Sequence, residues 1–153
     1  MAFINEFKLD GVDRQILNLL SDDGRISLSE LARRVSMSAP SVADRIHRLE
    51  DRGVLLGFTI DVGFTALGYS LEAIVRIKPR PGKLEQVEDM IRSQPRFVSC
   101  DRVTGDDCYV AKLLLKTIGE LDDLLGVFHE YAETNTSIVK SSVIDKRGLF
   151  ADR

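Results

Sequence analysis

Gly53-Val54-Leu55-Leu56-Gly57-Phe58-Thr59-Ile60 is the stretch at which the hydrophobic period of the chain changes. Upstream, apolar residues recur at helical intervals; downstream, from Leu71, they recur at every second position. The stretch itself is rich in β-formers and bounded by glycines, so it reads as a strand-like hinge. Two domains follow from this: a helical one over 1–53 and a sheet domain over 67–153, joined by a hinge over 54–66.

Working back from the hinge, Val42, Ile46 and Leu49 fall on one face of a helix that Ser38 can cap and Gly53 can stop. Before it, Ser27 and Glu30 have capping-box spacing ahead of Leu28, Leu31, Ala32 and Val35. A first helix carries Leu9, Val12, Ile16, Leu19 and Leu20, with Asp10 and Asp13 placed to cap and charge its first turn and Gly24 to end it. Three short helices, the last two joined by a tight turn, fit a helix-turn-helix.

Working forward, Leu71, Ala73, Val75 and Ile77 alternate with Glu72, Ile74 and Arg76 in a strand that ends at Pro79. Leu84, Val87 and Ile91 mark a helix closed by Gln94-Pro95, and 97–103 is the next strand. Thr104-Gly105-Asp106-Asp107 is a turn into a third strand, 109–115. Thr117 and Glu120 repeat the capping-box spacing before Leu121, Leu124, Leu125 and Phe128, and 137–145 is a fourth strand. The order β-α-β-β-α-β is ferredoxin-like, so the fold class is α+β. Its uncovered sheet face offers Ile74, Val110 and Leu114, with Val139 or Ile138 according to register. Such a face is expected to pair with a second copy in a homodimer, the alternative being a few tolerated surface aliphatics.

The composition restricts function. The chain has 153 residues, 44% of them hydrophobic, with 21 Lys and Arg against 24 Asp and Glu. This excludes disordered, collagenous and disulfide-stapled classes. No apolar run reaches the roughly 18 residues a membrane helix needs, and 1–6 has no export pattern, so the cytoplasm is the expected location. Cys100 and Cys108 form no metal-like grouping with His47 or His129; ordinary buried thiols are the expected reading, a redox sensor the alternative. No metal and no cofactor is expected. With a net charge of −3, indiscriminate coating of nucleic acid is disfavoured, and any DNA-binding surface must be local. Over 25–52 there are six Arg against four acids, whereas 1–62 as a whole carries eight cations against ten acids. With its apolar stripe turned inward, the third helix directs Ser41, Asp44, Arg48 and Arg52 outward, flanked by Arg45 and His47. Small residues at a helix start allow close approach to a groove, and arginines suit phosphate or guanine; the same arginines could instead pair with Asp44, Glu50 and Asp51 as a solvated surface.

Leu9-Asp10, Ile16-Leu17, Asp23-Gly24-Arg25-Ile26-Ser27, Glu30-Leu31-Ala32, Ser38 and Arg45-Ile46-His47-Arg48-Leu49-Glu50 together resemble the DNA-binding half of the Lrp/AsnC (feast/famine) transcription regulators. The likeness continues through Gly53-Val54-Leu55, Gly57-Phe58, Gly68-Tyr69, Val103-Thr104-Gly105-Asp106, Tyr109 and Thr136-Ser137-Ile138-Val139. The resemblance implies a regulator that binds double-stranded promoter DNA, dimerises through its sheet domain, assembles dimers into octamers, and responds to an amino acid or related metabolite. It places Ser38, Ser41, Arg45 and Arg48 at the DNA, with Arg45 alternatively bracing the helix through an acidic partner. It also implies an effector site, at a cleft between dimers, at Thr104, Gly105, Asp106, Asp107 and Cys108, which Thr134 and Thr136 could complete, the alternative being that 134–137 is a helix-to-strand loop rich in turn formers. There a glycine turn frees backbone N–H groups for a carboxylate, and Asp106 could accept from an α-ammonium. Asp107 and Cys108 depart from the aromatic residue and Asp usual in the family, which implies a different effector or none. An enzyme is not expected, because His47 and His129 lie on helices and no nucleophile-base pair or phosphate loop is recognisable. The alternative within DNA binding is an architectural protein of the same fold without effector control.

Overall fold

A computed structural model describes residues 8–144. Its helical unit contains α1 (Gly11–Asp22), α2 (Leu28–Arg34) and α3 (Ala39–Asp51). Asp10 caps α1: its Oδ1 accepts from the Asp13 N–H at 2.7 Å, and Asp13 Oδ2 accepts in return from the Asp10 N–H at 3.4 Å. Ser27 and Ser38 cap α2 and α3 through their hydroxyls, accepting from the N–H of Glu30 and Ser41. The Ser27 box is not reciprocated, because the Glu30 carboxylate is taken by Arg33 and Arg34. Ile16, Leu17, Leu31, Ala32, Val35, Val42 and Leu49 form the core of this unit.

The expected hinge strand is an irregular segment. Gly53, at φ +67°, ends α3 in a Schellman motif: its N–H donates to Glu50 O and the Val54 N–H to Leu49 O, each at 2.9 Å. Val54 and Leu55 are thereby drawn against the helical core, and Leu56, Phe58 and Ile60 stay exposed with no ladder partner among the described residues. A strand needs a neighbour to take its alternate N–H and C=O groups, and local β-propensity supplies none.

After a 3-10 turn, Phe64–Leu67, the second unit runs β1 (Leu71–Pro79), α4 (Leu84–Ser93), β2 (Phe97–Arg102), β3 (Tyr109–Leu115), α5 (Glu120–Gly126), β4 (Ala132–Ile138). The sheet is antiparallel in the order β2-β3-β1-β4, so each helix crosses between strands separated by one neighbour. Leu71 lies opposite Leu115 and Ile77 opposite Tyr109; on the other side Ala73 faces Ile138 and Pro79 faces Ala132. Ala73, Val75, Ile77, Leu113 and Leu115 pack with Val87, Ile91, Leu125 and Phe128 in one core.

Two further expectations are corrected. Thr117 does not cap α5; Glu120 Oε2 accepts from the Lys116 N–H at 2.7 Å and Oε1 pairs with Arg96 at 2.8 Å, so the carboxylate of the expected box is already engaged. The fourth strand begins at Ala132 rather than Ser137, because β1 extends far enough to pair with the whole of 132–138, and its threonines suit a pleated surface. The end of the expected strand, Asp145, lies outside the described residues. Register also decides the open face. Ile138 faces fully buried Ala73 and belongs to the helix side, while Val139 donates its N–H to Glu72 O and by alternation joins Ile74, Val110 and Leu114.

Candidate nucleic-acid interface and sensing turn

The helix-turn-helix is set by its connection. Val35, Ser36 and Met37 turn back with N–H groups donating to Leu31, Arg33 and Ala32 carbonyls, and Ser36 takes φ +56°, the only positive φ outside glycine among the described residues. Helix α3 then opens with Ser38 at the cap and Pro40 in its first turn, where a missing N–H costs nothing. The Ser38 and Ser41 hydroxyls lie 2.7 Å apart, so one donates to the other.

The two arginines in the middle of α3 have different environments. Arg45 Nη1 donates to Asp10 Oδ2 and to Asp13 Oδ1, both at 2.6 Å, and its side chain is only 21% exposed. The capping N–H of Asp13, reinforced by this guanidinium, holds the Asp10 carboxyl below its ordinary value, and the Asp10 and Asp13 carboxylates keep Arg45 firmly charged. Arg45 thus ties the recognition helix to the first turn of α1. Arg48 is 48% exposed and reaches the same Asp13 at only 3.3 and 3.4 Å through Nη2, a long contact that leaves most of its donors outward. Arg52 ends α3 in an exposed position, and Asp44 and His47 are exposed beside it. Asp13 is the residue whose role the chain alone conceals: it reads as a first-turn charge, yet it is 1% exposed and serves three partners. Its signal is the matching pair, Asp10 and Asp13 on α1 against Arg45 and Arg48 on α3. On α2, Arg33 and Arg34 close on Glu30 and hold its carboxyl down at about 2, Arg33 contributing most.

In the sheet unit Thr104, Gly105, Asp106, Asp107 and Cys108 form the β2-β3 turn. The Val103 N–H donates to Cys108 O at 2.9 Å, and Gly105 stands at φ +112°, where a side chain is strained. Asp107 Oδ2 lies 3.8 Å from Arg76 Nε on the open face. Thr134 and Thr136 lie on β4 opposite Ile77 and Val75, on the face that α4 and α5 cover. With β1 between β3 and β4, they sit two strand spacings of about 4.8 Å from the line of the turn's strand. Within one chain the turn and the threonines therefore do not converge. The thiols also differ from expectation: Cys100 is exposed on edge strand β2, with partial burial of its sulfur and then Asp101 pushing it up, and Cys108 is half-buried against the sheet core.

Comparison with known proteins fits this geometry. Residues 9–50 match the AsnC-type helix-turn-helix domain and residues 72–149 the Lrp/AsnC ligand binding domain. The chain is 30% identical over 141 residues to the HTH-type transcriptional regulator LrpC of Bacillus subtilis, covering 92% of this chain and 98% of that one. It is 33% identical over 153 residues to the transcriptional regulator LrpA of Mycobacterium tuberculosis, covering 95% of each. The solved structure of B. subtilis LrpC superposes with a TM-score of 0.84 at 30% identity, over 91% of this chain and 99% of that one. A feast or famine regulatory protein of M. tuberculosis, complexed with L-methionine, superposes with a TM-score of 0.83 at 31% identity, over 94% and 100%. A helix-turn-helix with a braced recognition helix, followed by a β-α-β-β-α-β sheet, in a chain matched over both halves, makes this protein a member of the Lrp/AsnC family.

Proposed function

We propose that the protein is a sequence-specific transcription regulator that reads promoter DNA through α3 and answers to an amino acid held by its sheet domain. The observation that carries this reading is the division of labour on α3: Arg45 is spent on Asp10 and Asp13, which fixes the helix, while Arg48 and the small residues at the helix start face outward. Ser38, Ser41, Arg48 and Arg52 are the DNA-facing set, and Arg45 acts by positioning them. The effector enters at Thr104, Gly105, Asp106, Asp107 and Cys108. Because Thr134 and Thr136 of the same chain lie across β1, they complete the pocket only from another copy. We read the protein as a cytoplasmic regulator and not an enzyme.

The open sheet face supports a homodimer, with octamers built from dimers. Ile74, Val110 and Leu114 sit together, bordered by the Glu72–Lys112 pair at 2.9 Å and by Arg76. Leu114 is already 6% exposed within one chain, so a second copy would cover chiefly the half-buried Ile74 and Val110, at about 25 cal/mol per Å² of apolar area removed. In a dimer the two α3 helices reach half-sites about 34 to 36 Å apart, so a pseudo-palindromic operator is expected. Ile74→Lys should bring the sedimentation mass down to one chain at micromolar concentration; an unchanged mass would place the interface elsewhere.

The function is tested by fluorescence anisotropy on the duplex upstream of the protein's own gene and on a scrambled duplex, with and without the twenty amino acids. Preference for the native duplex, altered by the mixture, supports the regulator. In the same assay Arg48→Ala should weaken native-duplex binding by about 1–3 kcal/mol, roughly 5- to 150-fold, with an unchanged melting curve. Unaltered affinity would remove Arg48 from the interface. A second reading, an effector-independent architectural protein, is favoured by Asp107 and Cys108 at the sensing turn, where Asp107 stands 3.8 Å from Arg76. Equal, salt-sensitive binding to both duplexes, indifferent to amino acids, would select it.

A further inference from the structure

On the helix-covered side of the sheet, α4 and the β2-β3 edge border an open cleft of about 190 Å³ lined by Glu88, Ile91, Arg92, Cys100, Arg102 and Tyr109. Its geometry follows from spacing. Glu88, Ile91 and Arg92 share one face of α4, and Arg102 and Tyr109 are paired across the β2-β3 ladder. The charges inside are organised around one carboxylate. Glu88 Oε1 accepts from Arg102 Nη2 at 2.7 Å and from the Tyr109 hydroxyl at 2.7 Å, and Arg102 Nη2 also donates to the Tyr109 oxygen at 3.0 Å. Glu88 Oε2 faces only the Arg92 guanidinium, 4.0 Å away and beyond hydrogen-bond distance. The Tyr109 hydroxyl, with the two guanidiniums behind it, holds the Glu88 carboxyl below its ordinary value. One carboxylate oxygen is thus fully committed and the other open, beside a guanidinium that is 77% exposed.

The ligand class follows from this charge pattern. A simple anion drawn to Arg92 and Arg102 would meet the Glu88 carboxylate, and a simple cation drawn to Glu88 would meet two guanidiniums. A zwitterion satisfies both signs, and guanidinium is the side chain suited to gripping a carboxylate. At roughly 30 Å³ per water the cavity holds the volume of about six waters, which suits a single small or medium amino acid and is well below a nucleotide. Ile91 and Tyr109, at 7% and 3% exposed, add little accessible surface, so with Cys100 they form the floor and the charged groups decide what binds.

We propose that this cleft is a second small-molecule site, lying wholly within one chain, that takes an α-amino acid with its ammonium on Glu88 Oε2 and its carboxylate on Arg92 and Arg102. It is separate from the sensing turn at 104–108 and does not rest on it: the turn's polar groups are backbone N–H and Asp106, whereas this site stands on α4 and Arg102. The adjoining position matters for regulation, since Arg102 ends β2 and Tyr109 begins β3, the two strands that carry the turn. An occupant that draws Arg102 from Tyr109 acts on both ends of the turn.

Calorimetric titration of the full chain tests this, with L-methionine, its decarboxylated amine and its deaminated acid as probes. Two binding events per chain are expected for L-methionine. Glu88→Gln, which keeps an acceptor for Tyr109, and Arg92→Ala, at an exposed helix position, should each weaken one event about tenfold or more, the loss of one charge-assisted contact, and leave the other intact. Asp106→Ala should remove only the other event, and each half-charged probe should lose the event that depends on Glu88. Titrations of Glu88→Gln and Arg92→Ala that match the parent protein would overturn the second site, and a single event removed by Asp106→Ala alone would do so while preserving the sensing turn. A single event removed by Glu88→Gln alone would support the cavity and displace the turn. Absence of any L-methionine binding would overturn this proposal.

Discussion

Asp13→Ala is expected to lower the stability of the helical unit by about 3 kcal/mol, the low end of the cost of removing one partner from a buried ion pair. The low end applies because Arg45 keeps 21% of its side chain in water and retains Asp10 at 2.6 Å. Asp13 itself is 1% exposed, and its loss strips one carboxylate from Arg45, the 3.3 Å contact from Arg48, and the weak N–H bond to Asp10. DNA affinity should fall further than stability alone dictates. With Asp10 alone left to hold Arg45, the tie between α3 and α1 is looser, which allows the recognition helix to shift and Arg48 to leave its present direction. Asp13→Asn separates the two effects: an amide of the same shape keeps the packing and one acceptor but drops the charge. Circular dichroism melts and anisotropy on the native duplex, measured on both variants, check this. A melt of Asp13→Ala within about 0.5 kcal/mol of the parent, the range of an inconsequential surface change, would show that Asp10 alone holds Arg45.

That clamp is a non-local feature, and it marks the limit of what local sequence signals specify. Helices α1 to α3 are legible because their signals are local: Ser38 three residues before Ser41, Gly53 just past Leu49, an apolar residue on each inward turn. The sheet order is legible because β-α-β-β-α-β connectivity leaves few topologies. What fails is where a local preference meets a non-local demand. Val54–Ile60 has β-propensity but no partner strand among the described residues, and its first two residues are claimed by the end of α3. Glu120 has capping spacing, yet Arg96, far away in sequence, takes its carboxylate. The start of β4 could not be placed because 132–136 reads as a polar loop until β1 is found to run beside it.

The candidate sites divide in the same way. The outward face of α3 follows from angular position on one helix, so Ser41, Arg48 and Arg52 could be named from periodicity. Which of Arg45 and Arg48 is tied to α1 could not, because that depends on an acid at position 13 that approaches only when α1 packs across α3. The turn at 104–108 announces itself by Gly105, whereas the cavity beneath α4 has no local signature. Glu88, Arg102 and Tyr109 come from three elements and meet only in the folded sheet.

Phe128→Ala is the second large effect, expected to cost the sheet unit about 3–5 kcal/mol. Phe128 is 1% exposed and stands edge-on to Phe97, with ring centroids 6.0 Å apart at 86°, so the substitution removes an aromatic pair as well as buried area. The position also does backbone work: Phe128 O accepts from the N–H of Tyr131 at 2.9 Å and of Ala132 at 2.8 Å, which sets the entry of the chain into β4. Alanine keeps those carbonyl bonds, so the loss reports packing alone. Its adjacent control is Val127→Ala, at a side chain that is 58% exposed, expected within about 0.5 kcal/mol of the parent. In urea the Phe128→Ala midpoint should fall at unchanged slope, since the surface exposed on unfolding barely changes. Faster amide exchange at Ile77 and Leu113, which share its core, should accompany the fall. A loss below about 1 kcal/mol would mean that Phe97 and Leu125 collapse into the vacated space, and the core around α5 would then be plastic enough to transmit ligand binding.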